Sequence, residues 1–264
     1  MRDIGKNLAK AKLRANEPVL CMGINQMRTP NVGMIAASCG FDAIYVDLEH
    51  NPTDLETTAG ICIGALGAEI TPIVRIASLA SHDISRVLDM GAQGIMVAHV
   101  NTAEEARAIV AAALFKPLGR RSAAGTLPSL GYKAMSQAEI NEEINRETLV
   151  MAMIETEEGL ANVEAIAAVA GIDTLHIGAN DLSVELGLPG QVEHPRLRDA
   201  YARVAAAAKA NRLSLGIGAT SGKPGLQADL LRLGFRYLTC GIDVRYVIAG
   251  GKADTAAIRA MSLD

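Results

Sequence analysis

Eight short β-rich runs recur along this chain, and a helical stretch separates each from the next. The runs are Pro18–Asn25, Ala43–Glu49, Thr71–Ala77, Gly94–Val100, Leu149–Glu155, Thr174–Gly178, Ser214–Gly218 and Tyr237–Gly241. Most are nearly continuous apolar segments, the pattern of parallel strands covered on both faces. Gly40, Gly91, Gly171 and Gly234 each lie three residues before a run, and Asn211 stands in the same relation to Ser214. Gly and Asn tolerate the left-handed conformation that closes a helix. Thr29-Pro30 reads as a helix start with Pro at the first position, and Thr102-Ala-Glu-Glu105 as a capping box. A helix–turn–strand unit repeated eight times, without a linker, predicts one closed (β/α)8 TIM barrel over residues 1–264. An open doubly wound sheet is the alternative.

Half of the residues are hydrophobic, enough for a sizeable core, but Trp is absent and Phe scarce, so aliphatic side chains must fill it. The formal net charge is -4, and no basic stripe with interleaved aromatics appears, which argues against nucleic-acid binding. No apolar stretch is long enough to span a membrane. Met1 to Arg14 carries Lys6, Lys10, Lys12 and Arg14, and reads as a short solvated helix rather than a secretory signal. Cys21, Cys39, Cys62 and Cys240 are widely spaced and read as small core residues of a cytoplasmic protein. The longest irregular stretch, about Lys116 to Ser136, follows the fourth strand and is expected over the barrel mouth.

In a barrel of this kind the active site lies at the C-terminal ends of the strands. The second run ends Asp47-Leu-Glu49-His50, the third carries Arg75, and the fourth carries His99. The fifth ends Met153-Ile-Glu155-Thr156, the sixth Gly178-Ala-Asn-Asp181, and the eighth Gly241-Ile-Asp243. Carboxylates, a histidine and an arginine thus converge on one rim. None of the eight runs contains a lysine, which argues against Schiff-base chemistry. Two carboxylates suit a hard divalent ion and leave positions open for water or another oxygen ligand.

Five motifs carry a resemblance. They are Phe41-Asp-Ala-Ile-Tyr-Val-Asp-Leu-Glu-His50, Ile73-Val-Arg75, Lys116-Pro-Leu-Gly-Arg-Arg121, Ile154-Glu-Thr156 and Ile177-Gly-Ala-Asn-Asp-Leu-Ser183. In order and spacing the chain resembles, over nearly its whole length, the metal-dependent, pyruvate-specific class II aldolases of the HpcH/HpaI family. The resemblance implies a barrel of the phosphoenolpyruvate/pyruvate type. It implies Glu155 and Asp181 as ligands of a divalent cation (Mg, Mn or Co), His50 as acid/base, and Arg75 beside the substrate's 2-oxo oxygen. It places the backbone of Gly178 and Ala179 beside the substrate carboxylate, and Asp47 and Asp89 where they orient the histidine or its loops. It further implies pyruvate and an aldehyde as substrates, and a homo-oligomer, trimer or hexamer, with the last helix exchanged between neighbours. Met153 stands where the family commonly has Gln, Ala179 where it has Pro, and Ser122 where it has Gly.

Other residues keep two readings. Arg120 and Arg121 are placed either to reach an acidic substrate or to lie on the surface. His99 fits a position lining the site or one packed beneath it. His176 reads as a hydrogen-bonded core histidine, and His82 and His194 as helix-start or loop residues. Gly216-Ile-Gly-Ala-Thr-Ser-Gly-Lys223 reads as a tight turn or as a phosphate cradle, the latter pointing to a phosphate-handling isomerase. Met153 also leaves room for a barrel altered toward a binding role.

Overall fold

The computed structural model describes residues 5–77 and 79–261. Helix α1 (Leu8–Arg14) precedes strand β1 (Val19–Ile24); α2 (Val32–Ser38), β2 (Ala43–Asp47), α3 (Leu55–Gly67), β3 (Thr71–Ile76), α4 (Ser81–Asp89) and β4 (Gly94–Val97) follow. Next come α5 (Ala103–Ala113), a 3-10 turn at Pro128–Leu130, α6 (Gln137–Glu147), β5 (Leu149–Ile154), α7 (Glu157–Ala161), α8 (Val163–Ala167) and β6 (Thr174–Ile177). The chain continues through α9 (Ala179–Glu185), α10 (Pro195–Ala210), β7 (Ser214–Ile217), α11 (Pro224–Leu233), β8 (Phe235–Ile242) and α12 (Asp243–Arg259). The strands pair in sequence order, all parallel, and β8 closes on β1. This is the (β/α)8 barrel, not the open sheet.

The strand period of two sorts the apolar residues into two cores. Cys21, Tyr45, Ile73, Met96, Met151, Met153 and Tyr237 point inward and pack against one another inside the barrel. Their neighbours Ile24, Ile44, Val74, Ile95 and Ile154 point outward against the helices. Both faces are dry, which is why the strands read as continuous apolar runs. Full burial of one such Ile contributes about 1.5–3 kcal/mol.

The helix stops behave as the spacing requires. Gly40, Gly91, Gly171 and Gly234 have φ of 83°, 110°, 100° and 101°, in the left-handed region. Before β7 the left-handed residue is Arg212 (φ 57°), one place after Asn211. Thr102 and Glu105 form the full capping box of α5. Helix α2 starts at Val32, two residues later than Thr29-Pro30 suggests. Cys39 is exposed rather than in the core.

Two larger expectations are corrected. Helix α1 is not merely solvated: Ala9 and Leu13 join the barrel interior, and Asn7 and Lys10 are buried. Asn7 Nδ2 donates to Gln93 O (2.9 Å), and Lys10 Nζ reaches Thr148 O (2.5 Å) and Asp173 (2.8 Å). The helix therefore seals the N-terminal end of the barrel. The segment from Lys116 to Ser136 lies at that same end, not over the mouth. It follows α5, which runs antiparallel to β4 and carries the chain back to the bottom. There Pro128, Ser129 and Tyr132 share a cavity with Gly5, Lys6 and Thr71.

Candidate active site

The mouth of the barrel holds a cavity of about 370 Å³, lined from several strand ends by residues including Tyr45, His50, Arg75, Met153, Gly178 and Asp181. Its most ordered feature is an ion-pair chain. Arg75 Nε donates to Asp47 Oδ1 at 2.9 Å, and Nη2 to Oδ2 at 2.6 Å. Nη1 lies 3.1 Å from Glu49 Oε2. The register sets Asp47 directly beside Arg75 on the neighbouring strand, so this two-point contact follows from pairing β2 with β3. Burial opposes ionisation of Asp47, yet the Arg75 bonds and charge, with the N–H groups of Glu49 and His50, hold its carboxyl below the usual range. The same bonds outweigh burial at Arg75 and raise its pKa.

Glu155 follows β5 and is 1% exposed. The His99 backbone N–H donates to its Oε1 at 2.7 Å, and His99 Nδ1 lies 3.4 Å away. Burial lifts the Glu155 pKa; the His99 contacts oppose this, and the negative charges of Asp181 and Glu49 add to it. No Lys or Arg among the described residues pairs with it. A buried carboxylate, crowded by other carboxylates and short of a permanent cation, is a donor set that fits a hard divalent ion. Among the described residues no three His, Cys, Asp or Glu side chains form a ready metal cage. An ion held by Glu155 and Asp181 would therefore occupy an open site, with its other positions left to water and substrate. Gly178 carries the turn between them: a Cβ there would overlap Glu155 Oε2. Asp181 sits in the first turn of α9, which starts one residue later.

His50 has a side chain 60% exposed, with Nε2 3.6 Å from Glu49 Oε2. His99, for which sequence allowed two positions, is at the rim. Its φ of 54° aims the backbone N–H at Glu155 while its ring meets Glu49 at 3.1 Å. Left-handed geometry is uncommon for a residue with a Cβ, and such outliers cluster at functional sites.

These findings match a known protein family. The family model described as HpcH/HpaI aldolase/citrate lyase matches residues 26–249. The chain belongs to that HpcH/HpaI family. A 4-hydroxy-4-methyl-2-oxoglutarate aldolase of Chaetomium globosum is 34% identical over 240 residues, 90% of this chain and 89% of the relative. A hydroxypyruvate/pyruvate aldolase of Pseudomonas aeruginosa is 31% identical over 245 residues, 91% of this chain and 88% of the relative. The solved structure of an HpcH/HpaI aldolase from Desulfitobacterium hafniense superposes with a TM-score of 0.90 at 29% identity, covering 96% and 97% of the two chains.

Not every residue expected at the site of this HpcH/HpaI chain reaches the mouth. His50, Arg75, Met153, Gly178, Ala179 and Asp181 line the cavity, and Asp47 and Glu155 stand beside it, each in contact with a lining residue. Asp89 and Arg121 do not line it. They pair with each other at 2.6 Å, and Arg121 lies over the Phe115 ring at 5.0 Å. Asp89 is the last residue of α4, and Arg121 follows α5, so both belong to the N-terminal end of the barrel. His176 is buried as expected but is not the hydrogen-bonded histidine expected. It lines the cavity floor, its Nδ1 has no partner among the described residues, and its ring meets Tyr237 edge-on at 5.6 Å. His82 lies in the first turn of α4, and His194 caps α10. Glu49, which ties Arg75, His50 and His99 together, received no role from sequence. Its signal was the two-residue spacing from Asp47, which sets both on the inward face.

Proposed function

We propose that the chain is an aldolase that cleaves or forms 4-hydroxy-2-oxo acids through a pyruvate enolate, with a divalent cation of the Mg, Mn or Co type held by Glu155 and Asp181. The observation that carries this reading is Glu155 seated against Gly178, one short turn from Asp181, on the rim that also bears Arg75 and His50. The two relatives, named as aldolases of 2-oxo acids, support the donor chemistry. When bound, such an ion supplies Lewis acidity toward the 2-oxo group. The Arg75 guanidinium, fixed by Asp47 and Glu49, faces the negative charge that develops on that oxygen when the methyl proton leaves. The backbone at Gly178 and Ala179 borders the donor carboxylate. His50, exposed enough to reach solvent and steadied by Glu49, moves the proton at the 4-hydroxyl oxygen as the C3–C4 bond breaks or forms.

The phosphate-handling alternative is less well supported. Lys223, the one lysine of the glycine-rich segment, is turned to Glu193 at 3.0 Å. The chain also fits a trimer or hexamer with the last helix exchanged: α12 leaves the body with Val247, Ile248 and Ile258 exposed. No helix of the described residues is long and apolar enough to cross a membrane, and we place the enzyme in the cytoplasm.

The test is pyruvate in heavy water with the metal-loaded protein, following the methyl protons by NMR. Exchange is expected, and Glu155→Gln, Asp181→Asn or excess chelator should abolish it together with aldol turnover. Full activity in chelator would overturn the metal assignment. A wild-type protein that binds metal but exchanges no protons, and gains exchange only on Met153→Gln, would replace the enzyme reading by the altered-barrel one.

A further inference from the structure

Two guanidinium groups line the mouth cavity, and their circumstances differ. Arg75 is already neutralised in place, by Asp47 on two atoms and by Glu49 on a third. Arg245 lies in the first turn of α12, just after β8, and lines the same cavity. Among the described residues nothing accepts a hydrogen bond from Arg245 and no carboxylate pairs with it. The nearest acid in sequence, Asp243, is otherwise engaged. It is buried and accepts from the backbone N–H groups of Asn25, Gln26 and Met27 at 3.1, 2.9 and 2.7 Å. Ile242 and Thr239 from β8, and Ala219 and Ser221 from the loop after β7, line the same cavity.

The carboxylates Glu49, Glu155 and Asp181 belong to the ends of β2, β5 and β6, whereas the unneutralised cation belongs to the end of β8. In the closed ring β8 is two strands from β2 and from β6 and three from β5, so Arg245 shares the cavity with the acidic side chains but projects from a strand end of its own. With a divalent cation on Glu155 and Asp181, the donor half of a 4-hydroxy-2-oxo acid, with its 2-oxo oxygen and first carboxylate, is held on the side of Gly178 and Arg75. A second anionic group, on the other half, meets the guanidinium lining the cavity that is not already paired, that of Arg245.

We propose that Arg245 is a specificity-determining residue that receives a second carboxylate, on the acceptor half of the substrate. What is assigned is the residue that meets the second carboxylate of a dicarboxylic 4-hydroxy-2-oxo acid, whose cleavage releases pyruvate and a second 2-oxo or aldehydic acid. This rests on the aldolase reading. On cleavage the C3–C4 electron pair stays with C3, which takes up a proton. The 4-hydroxyl gives up its proton as C4 becomes the new carbonyl, and the carboxylate on C4 remains on Arg245 until release. In the reverse direction Arg245 collects the acceptor acid and holds its carbonyl toward the enolate.

The test compares cleavage of 4-hydroxy-2-oxoglutarate and 4-hydroxy-2-oxovalerate, which differ by a carboxylate against a methyl at the acceptor end. Wild type should favour the dicarboxylate in kcat/KM. Arg245→Ala should lower the dicarboxylate value by about 10- to 100-fold, mainly through KM, and the monocarboxylate value by no more than about threefold. Arg245→Lys should recover a large part of the preference. Equal losses on both substrates, or none on either, would overturn the assignment. So would a preference for D-glyceraldehyde 3-phosphate over glyoxylate as acceptor that disappears in Arg245→Ala, since the corner would then be a phosphate site. Pyruvate methyl exchange in heavy water separates the two levels. Exchange without a carboxylate preference removes only the Arg245 proposal; no exchange and no cleavage of either substrate removes the aldolase reading as well.

Discussion

The Glu155 carboxylate rests against the Cα of Gly178, with no room between them for a methyl group. Gly178 also passes the chain from β6 into α9, which bears Asp181. Gly178→Ala must therefore displace Glu155 or shift the turn that positions Asp181. Misplacement of about 1 Å at a reacting centre costs about 100-fold in rate. Pyruvate exchange and aldol turnover should each fall by at least that factor, and metal affinity, measured by calorimetric titration, should weaken in parallel. Wild-type affinity in the variant would dissociate Gly178 from the metal site.

Asp47 is fully buried and neutralises Arg75, whose side chain is 10% exposed. Removing one partner leaves the other charge buried without compensation, at a cost of about 3–5 kcal/mol. Asp47→Ala should lower the unfolding free energy in urea by about 3 kcal/mol or more, besides releasing the N–H groups of Glu49 and His50. The native pKa of Asp47 is depressed, so this stability is present above the unfolded carboxylate range and lost as pH falls through the native value. A cost below about 1 kcal/mol would mean that water replaces the pair.

His176 adds a second acid sensitivity. Burial pushes its pKa down to about 3, and the Arg75 charge acts in the same direction. In the unfolded chain a histidine titrates near ~6.5. Between these values the unfolded state binds a proton that the native state excludes, so stability falls as pH falls from about 6.5 towards 3, by up to ~1.4 kcal/mol per pH unit. His176→Phe removes this component. The difference in unfolding free energy between wild type and variant should move by about 2 kcal/mol between pH 7 and pH 4.5, in favour of the variant at the lower pH. Parallel pH profiles would show that the imidazole takes up its proton as readily in the native state as in the unfolded chain.

Val247 and Ile258 are 61% and 66% exposed on α12, about three turns apart and on one face. In the proposed exchanged assembly this face is covered by a neighbouring copy. The double substitution Val247→Asp with Ile258→Asp should convert the oligomer to monomers in light scattering, while far-ultraviolet dichroism shows the barrel intact. A wild-type monomer, or an assembly that survives the double substitution, would rule out α12 as the contact.

The local code of this chain is strong enough to specify the barrel. Nearly continuous apolar runs, a left-handed glycine before each of four strands and the capping box at Thr102 are all short-range signals, and each acts as its sequence neighbours dictate. Strand order then places Asp47, Arg75, Glu155 and Gly178 at one rim, because all eight strands point the same way. What tertiary structure alone decided depends on which end of the barrel a residue reaches and what packs across from it. Asp89 and Arg121 lie at the bottom because α4 and α5 run back against the strands, a reversal that local motifs do not register. Lys10 is buried by a helix whose lysines look solvated in sequence, because the open barrel end supplies carbonyl and carboxylate partners far along the chain. The left-handed turn of His99 and the bridging by Glu49 arise from contacts between distant strand ends. Sequence determined the scaffold and its chemical side chains; which charges at the mouth are neutralised was decided by three-dimensional neighbours.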